Sequence, residues 1–219
     1  DWRETILRDA LMHTLVSNTQ IDIQAYQPVV VYLNGKYWGI YNIREKFNKD
    51  YLQQHHNVDQ VDILERNSKL IEGSDDEYLE LLTYVQENDL SRNEHWNWIE
   101  ERVDLDNFID YYCAQIYFAN TDWPGNNIKY WKATDGKWRW FLHDTDLGFA
   151  FAPIWGHPGG VKHNTLKFVL NDSATIHHNQ AWSTLLFRKF LNNEKFKQEF
   201  IRKFAQHLEV TFHPKRVVR

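Results

Sequence analysis

The sequence predicts an α+β fold, in which helices and β-hairpins occupy separate stretches of the chain. Two pairs of β-rich runs, at residues 29–43 and 128–142, are each interrupted by a short turn signal. The stretches around them carry apolar residues at the three- and four-residue spacing of amphipathic helices. Segregation of the two patterns, instead of strict alternation, is typical of the α+β class.

The first elements are a helix and a hairpin. Apolar residues recur at helical spacing between residues 2 and 16, which predicts a helix there. A strand at 29–33 and a second at 36–43 then flank Asn34-Gly35. Asn-Gly between two β-rich runs predicts a tight hairpin, because both turn residues must take positive φ.

Residues 48–119 are predicted to be mainly helical. Within them, Asp104 is the predicted N-cap of a helix. The buried stripe of that helix is expected to consist of Phe108, Ile109, Tyr112, Ile116 and Tyr117.

The second half of the chain repeats the alternation of polar loops with regular elements. A polar loop at 120–127 contains Pro124 and Gly125, which exclude a continuing helix. It leads into a hairpin, 128–132 and 138–142, that turns at Asp135-Gly136. Residues 149–180 are expected to form loops, and two helices, 182–191 and 194–208, are expected to close the chain.

Composition excludes several classes of protein. The chain has 219 residues, a net charge of -5 and one cysteine, Cys113. The acidic balance argues against a nucleic-acid binder, and a single cysteine excludes an internal disulfide and a multi-cysteine zinc site. No run approaches the roughly 18 apolar residues of a membrane span. Because the chain starts at Asp1 and its one methionine is Met12, we expect it to be a piece of a longer protein.

Two polar segments flank the second hairpin and are the candidate site. The loop before it offers Asn120, Asp122, Asn126 and Asn127, and the segment after it runs His143-Asp144-Thr145-Asp146. One hairpin joins the two segments, so they can lie side by side. In extended chain Asp144 and Asp146 would point to one face. Such oxygen ligands suit Mg²⁺ or Mn²⁺, although Asp-rich turns also simply cap helices and satisfy their own backbone.

The spacing of these residues favours a kinase-like site. Protein kinases place a catalytic Asp after a long helix, a metal-binding Asn five residues later, and a hairpin that leads to Asp-Phe-Gly. Here Asp122 precedes Asn127 by five residues, and the hairpin leads to Asp146-Leu147-Gly148. Residues 2–16 would then be the small-lobe helix, and Arg44-Glu45-Lys46 the hinge beside the adenine.

The same segments resemble the CotH kinase family, the spore coat protein H-like atypical protein kinases. The similarity lies in the run 31–41 with Glu45, in Asn120-Thr-Asp122 with Asn126-Asn127 and Tyr130, and in Trp140-Phe-Leu-His-Asp144-Thr-Asp146. It implies a reduced, two-lobed kinase fold that is truncated at the N-terminus. The small-lobe remainder would span 1–47 and the mainly helical large lobe 48–219.

The resemblance also implies an activity and roles for residues. The protein would bind ATP and Mg²⁺, or Mn²⁺, and phosphorylate Ser or Thr of a protein substrate. Asp122 would be catalytic, and Asn127, Asp144 and Asp146 would lie at the metal. The nucleotide would be contacted by Glu45, Tyr37 and Trp140. The catalytic loop would be supported by Asn120 and Asn126. A spore-associated, secreted or bacterial surface location is expected.

The sequence departs from kinases in two respects. The strands that would carry the phosphate-binding basic residue lie before Asp1, and no G-x-G-x-x-G loop is present. Glu4 or Asp9 could pair with that basic residue, or could lie on a solvated helix face. Trp138 and Trp140 could wall the adenine with Tyr37 or Tyr41, although core packing is the more common role of such rings.

Two other kinds of function remain open from the residues alone. Paired acids among abundant aromatics also suit a carboxylate-based glycosidase. A carbohydrate-binding or surface protein could use aromatic side chains for glycans and acidic loops for Ca²⁺. Nucleotide-dependent stabilisation would separate a kinase from both.

Overall fold

A computed structural model describes residues 7–149, 159–160, 162–172 and 179–218. Its helices are α1 (Arg8–Leu15), α2 (Lys49–His56), α3 (Asp76–Glu87), α4 (Asn93–Arg102), α5 (Leu105–Tyr117), α6 (Thr165–Val169), α7 (Leu185–Phe190), α8 (Glu194–Glu209) and α9 (Pro214–Val217), with a 3₁₀-helix at Ala181–Thr184. Its strands are β1 (Tyr26–Leu33), β2 (Lys36–Arg44), β3 (Val61–Glu65), β4 (Lys69–Glu72), β5 (Lys129–Ala133) and β6 (Arg139–Phe141). This mixture of helices with small antiparallel sheets agrees with the predicted α+β class.

The first hairpin forms as predicted. Strands β1 and β2 pair antiparallel as a separate two-stranded sheet. Asn34 and Gly35 both have positive φ, 51° and 76°. The Asn-Gly signal was therefore a correct guide to the turn, because Gly at the second position adopts a positive φ without steric cost.

The second sheet contains two strands that the sequence analysis did not predict. All its pairings are antiparallel, and its strand order is β4-β3-β5-β6. Its β5–β6 hairpin was predicted, whereas β3 and β4 lie within the stretch expected to be mainly helical. Their turn contains no glycine: Arg66 and Ser68 take positive φ instead, 52° and 55°. Two short strands without a glycine turn leave little signal in the sequence.

The four-stranded sheet divides the interior into two clusters, because successive side chains of a strand point to opposite faces. On one face, Tyr130 and Trp140 join the large cluster that also contains Phe108 of α5. On the other face, Trp131 and Phe141 join the smaller cluster beneath α2. The rings of these two clusters that are named here are all buried, so their main role is to pack the core.

Helix α5 is the central helix of the large cluster. The Asp104 side chain accepts a hydrogen bond from the Asn107 backbone N–H at 3.1 Å, which confirms the predicted N-cap. Phe108 and Tyr112 of the predicted stripe are buried, with exposures of 1% and 2%. Ile116 of the same stripe is partly buried and packs at the edge of the cluster.

The C-terminal helices agree with prediction, since α7 and α8 occupy the expected stretches. The predicted loop 149–180 contains the short helix α6 in its described part. Residues 150–158, 161 and 173–178 of that loop lie outside the described residues, as do residues 1–6 of the first predicted helix. Among the described residues, no helix has both the length and the apolar character needed to cross a bilayer.

Candidate functional site

The first half of the candidate site begins where α5 ends. Asn120 follows this helix and is fully buried. Its side-chain amide donates to Gln115 Oε1 at 2.9 Å, and its Oδ1 accepts the backbone N–H of Asp122 at 3.3 Å. Asn120 therefore holds the backbone of the turn that carries Asp122.

Asp122 is held by two asparagine amides of its own loop. Its Oδ2 accepts hydrogen bonds from Asn126 Nδ2 at 3.0 Å and from Asn127 Nδ2 at 2.8 Å. The loop is anchored below by Trp123, whose buried indole donates to the Tyr111 hydroxyl at 2.7 Å. The five-residue spacing of Asp122 and Asn127 thus corresponds to a direct contact.

The second half of the site follows β6 and contacts the first. The backbone carbonyl of Asp144 accepts the side-chain amide of Asn127 at 3.3 Å and that of Asn120 at 3.5 Å. Two side-chain amides of the 120–127 loop therefore donate to a single backbone carbonyl of the segment that follows β6. The expectation that the two polar segments lie side by side is confirmed.

The local conformation of Asp144 differs from the extended chain on which its pairing with Asp146 was argued. Its φ is 48°, in the left-handed region. Asp146 nevertheless lies close enough to Asp144 to help raise the pKa of the Asp144 carboxyl. The extended conformation expected for this segment is therefore wrong at Asp144, although its carboxyl still interacts with that of Asp146.

Four carboxyl groups concentrate negative charge in this region. Partial removal from water and the repulsion of Asp146, Asp9 and Asp122 raise the pKa of Asp144 to about 7. Its side chain keeps contact with solvent, which moderates the energetic consequence of this shift. A raised carboxyl pKa next to other acids marks a place where a cation would be favourable.

Asp9 of α1 is a full member of this cluster, although from the sequence it was only a secondary candidate. Its Oδ1 accepts hydrogen bonds from both the backbone N–H and the hydroxyl of Thr145, at 2.8 and 2.7 Å. Its other oxygen forms an ion pair with Arg44 at the end of β2. Burial opposes ionisation of Asp9, but hydrogen bonds and attraction to His13, Thr145 and Arg44 hold its pKa far below the usual range.

Arg44 was expected in a hinge beside the adenine, and no feature of the sequence pairs it with Asp9. The two residues are 35 positions apart. Asp9 was expected either to pair with a phosphate-binding basic residue of the kinase fold or to lie on a solvated helix face. The structure replaces both interpretations with a partner inside the chain. The other alternative, Glu4, lies outside the described residues.

Helix α1 also reaches the second aspartate of the pair. The Arg8 guanidinium donates to the backbone carbonyl of Asp146 at 3.0 Å. Gly148, two residues further on, packs against the same helix. A Cβ built there would lie 2.6 Å from Met12 Cε and 3.0 Å from the carbonyl oxygen of Phe118. A glycine is needed at 148 because helix α1 and the end of α5 approach this close.

His143 lies between the site and the smaller aromatic cluster. Its ring packs edge to face on Phe47, with the centroids 6.1 Å apart. Burial, assisted by the positive charge of Lys129, lowers the pKa of His143 to about 4. His143 is therefore neutral at physiological pH and adds no positive charge beside Asp144.

Among the described residues, the three residues assigned to the nucleotide make no hydrogen bond or ion pair with the aspartates of the site. Tyr37 lies on β2 with 63% of its surface exposed. Glu45 accepts the backbone N–H of Ala25 and contacts His55, each at 2.7 Å. Trp140 is 1% exposed and packs edge to face on Phe108.

The candidate site supplies oxygen donors, the type of ligand that divalent cations such as Mg²⁺ prefer. No three His, Cys, Asp or Glu side chains within the described ranges converge closely enough to hold a metal. Amide oxygens can complete a set of hard ligands, however, and Asn126 Oδ1 is buried beside Asp122 without a hydrogen-bond partner. The Asp144–Asp146 carboxyl pair and this orphaned oxygen together fit Mg²⁺ or Mn²⁺ in chemical type.

Comparison with known proteins identifies one family. A family model described as CotH kinase protein matches residues 1–219, which is the whole chain. No curated protein matches the sequence significantly.

Proposed function

Because this chain belongs to the CotH kinase family, we propose that it transfers the terminal phosphoryl group of ATP to Ser or Thr of a protein substrate. Membership of the family supports a kinase-like transferase in general terms. The protein substrate, the choice of Ser or Thr and the use of Mg²⁺ are the parts that we propose.

One observation carries the proposal: the Asn127 side-chain amide donates both to Asp122 Oδ2, at 2.8 Å, and to the Asp144 backbone carbonyl, at 3.3 Å. A single side chain thus couples the loop that contains the proposed catalytic Asp to the segment that contains the proposed metal-binding pair. This is the relationship that phosphoryl transfer needs, because nucleophile and phosphate must be positioned together.

In this proposal, Asp122 orients the substrate hydroxyl and accepts its proton. The Asn126 and Asn127 amides restrict the rotation of its carboxylate, so that its position is set before substrate arrives. Asn120 supports this geometry by holding the backbone of Asp122.

We propose that Mg²⁺ or Mn²⁺ is held by Asp144, Asp146 and Asn127. The side-chain oxygen of Asn126 is a further donor for the same ion. When bound, the ion supplies positive charge that neutralises phosphate oxygens. Arg8, which contacts the Asp146 carbonyl at 3.0 Å, is well placed to add a second positive charge. Tyr37 and Glu45 stay predicted nucleotide contacts, whereas Trp140, which is 1% exposed, lies in the large aromatic cluster.

The direct test is phosphate transfer from radiolabelled ATP to a protein acceptor, with Mg²⁺ or with chelator, followed by identification of the modified residue by mass spectrometry. Incorporation on Ser or Thr that needs the metal is the expected result. ATP that neither stabilises the protein nor labels any acceptor in the presence of Mg²⁺ or Mn²⁺ would contradict the proposal.

No specific observation favours a glycosidase. The paired acids of glycosidases flank a bound sugar. Asp144 and Asp146 belong instead to a cluster of acidic groups whose mutual repulsion favours a cation.

A further inference from the structure

A cavity of about 370 Å³ lies on the face of the four-stranded sheet that carries Tyr130 and Trp140. Helices α3, α5 and α7 and the β3–β4 turn enclose it. Among the described residues, its lining includes none of the aspartates of the candidate site. The volume is within the range of small-molecule sites and suits a molecule of one or two rings.

The walls of this cavity are aromatic. Tyr78 and Tyr130 stack with their centroids 4.3 Å apart, and Trp140 meets Phe108 edge to face at 4.6 Å. These four rings and Tyr112 all line the cavity and are at most 6% exposed. Rigid rings of this kind bind a flat apolar body well, because little side-chain entropy is lost.

Two polar groups in this wall make no hydrogen bond within the part of the chain that the structure describes. The Tyr112 hydroxyl is one of them, in a residue that is 2% exposed. The indole N–H of Trp140 is the other, since the hydrogen bonds of this residue run from its backbone to Asn107. Two donors that line the same cavity and lack a protein partner can both donate to an acceptor bound there.

The charge of the lining also favours an acceptor. Arg66 and Arg188 line the cavity, and no Asp or Glu of the described ranges does. The nearest carboxylate to Arg188 is that of Asp172, at 3.9 Å in a side chain that is 74% exposed. Hydrogen bonds to the Ala181 carbonyl and the Thr184 hydroxyl, at 2.6 and 3.0 Å, hold the guanidinium in place. This arrangement resembles a prepared site for an anion.

We propose that this cavity binds a small aromatic carboxylate. The ring would lie among Tyr78, Tyr130 and Trp140, and the carboxylate would accept hydrogen bonds from Arg188, the Tyr112 hydroxyl and the Trp140 indole. The site is separate from phosphoryl transfer, and its ligand does not take part in that reaction.

Isothermal titration of the whole chain with benzoate, phenylacetate and indole-3-carboxylate tests the proposal, with uncharged indole as the reference ligand. At least one carboxylate should bind, and Arg188→Gln should weaken it about tenfold while leaving indole unchanged. Lys189→Gln, which removes a charge from the same helix outside the lining, should have no effect. Tyr112→Phe should weaken the carboxylate severalfold, and it serves as the test if Arg188→Gln does not fold.

Three results would overturn the proposal. One is the absence of saturable binding for all three carboxylates up to about 5 mM, the limit of weak specific binding. Another is that Arg188→Gln binds the carboxylate as tightly as Lys189→Gln does. If Arg188→Gln does not fold, the same comparison is made between Tyr112→Phe and Lys189→Gln. The third is competition by ATP with Mg²⁺, which would identify the cavity as part of the nucleotide site.

Discussion

The carboxylate of Asp9 accepts two hydrogen bonds from Thr145, one from its backbone N–H at 2.8 Å and one from its hydroxyl at 2.7 Å, across 136 residues of sequence. Thr145 stands between Asp144 and Asp146, so this contact fixes the segment that presents both carboxyls. The same Asp9 is paired with Arg44 of β2. One side chain of α1 therefore ties the first hairpin to the candidate site.

Replacing Asp9 should loosen this connection. Asp9→Asn removes a charge that is largely buried and leaves Arg44 without its partner, so we expect unfolding free energy to fall by about 2–4 kcal/mol. Urea denaturation measures it. The exposed Asp50→Asn is the matched control and should change stability by less than about 0.5 kcal/mol. Equal effects of the two substitutions would show that the Asp9 contacts do not stabilise the fold.

The proposed division of roles between Asp122 and Asp146 can be tested with one kind of substitution. Asp122→Asn keeps its size but cannot accept a proton, so phosphoryl transfer should fall by at least about a hundredfold while nucleotide affinity is largely kept. Asp146→Asn should weaken both, because it removes charge from the proposed metal site. Asp135→Asn, in the exposed β5–β6 turn, is the control. Comparable loss of nucleotide affinity in the Asp122 and Asp146 variants would refute the division.

The raised pKa of Asp144 predicts how stability depends on pH. A carboxyl whose folded pKa is about 7 binds its proton more tightly in the native state than in the unfolded chain, where its pKa is about 4. Its contribution therefore becomes unfavourable as pH rises from about 4 to 7, and Asp144→Asn removes this loss. We compare melting temperatures in chelator at about pH 4.5 and about pH 8, which lie roughly on the two sides of the transition. The melting temperature of the variant, relative to that of wild type, should be higher at the upper pH.

Mg²⁺ should reverse this order at the higher pH, because the ion binds the ionised Asp144 and the variant lacks that charge. The measurement is thermal unfolding of both proteins at each pH, with metal and with chelator. If the difference between variant and wild type is the same at both pH values, the titration of Asp144 is not coupled to folding.

Gly148→Ala should be destabilising for steric reasons. The new Cβ would come within 3.0 Å of the Phe118 carbonyl oxygen, which belongs to the backbone and cannot turn away, and still closer to Met12. We expect a loss of about 1–3 kcal/mol, typical of overpacking. In a Met12→Ala background the added loss should be smaller, since one of the two obstructing groups is gone. Chemical denaturation of the four proteins gives this coupling directly.

Asp110 of α5 should contribute to the loss of stability at acidic pH. Burial opposes its ionisation, but hydrogen bonds from His207 and from the Gln20 backbone, with attraction to Lys203, lower its pKa below the usual range. Its contribution is therefore complete above the unfolded pKa near 4 and is lost as pH falls through the lower, folded value. Asp110→Asn should cost about 3 kcal/mol at pH 7, and the cost should shrink below about pH 4. A difference that does not depend on pH would contradict this origin.

The sequence alone determined the features that depend on neighbours in the chain. Asn34-Gly35 specified its turn because only a few residue types take positive φ there without strain. Asp104 specified the start of α5 because a capping carboxylate needs only a backbone N–H three residues ahead. The loop at 120–127 was predicted because Pro124 and Gly125 exclude a continuing helix, whereas the contact between Asp122 and Asn127 within it became evident only from the structure.

Tertiary structure decided what depends on contacts between distant residues. The pairing of Asp9 with Thr145 and Arg44 follows from where α1 packs, and no local pattern encodes it. The strands β3 and β4 form because β5 provides the hydrogen-bonding partner for β3, which their five and four residues do not reveal. Trp140 and the exposed Tyr37 have similar chemistry in the sequence, yet one is buried and the other faces solvent. Periodicity and spacing report on neighbours in the chain, whereas burial and electrostatic coupling depend on which elements meet in space.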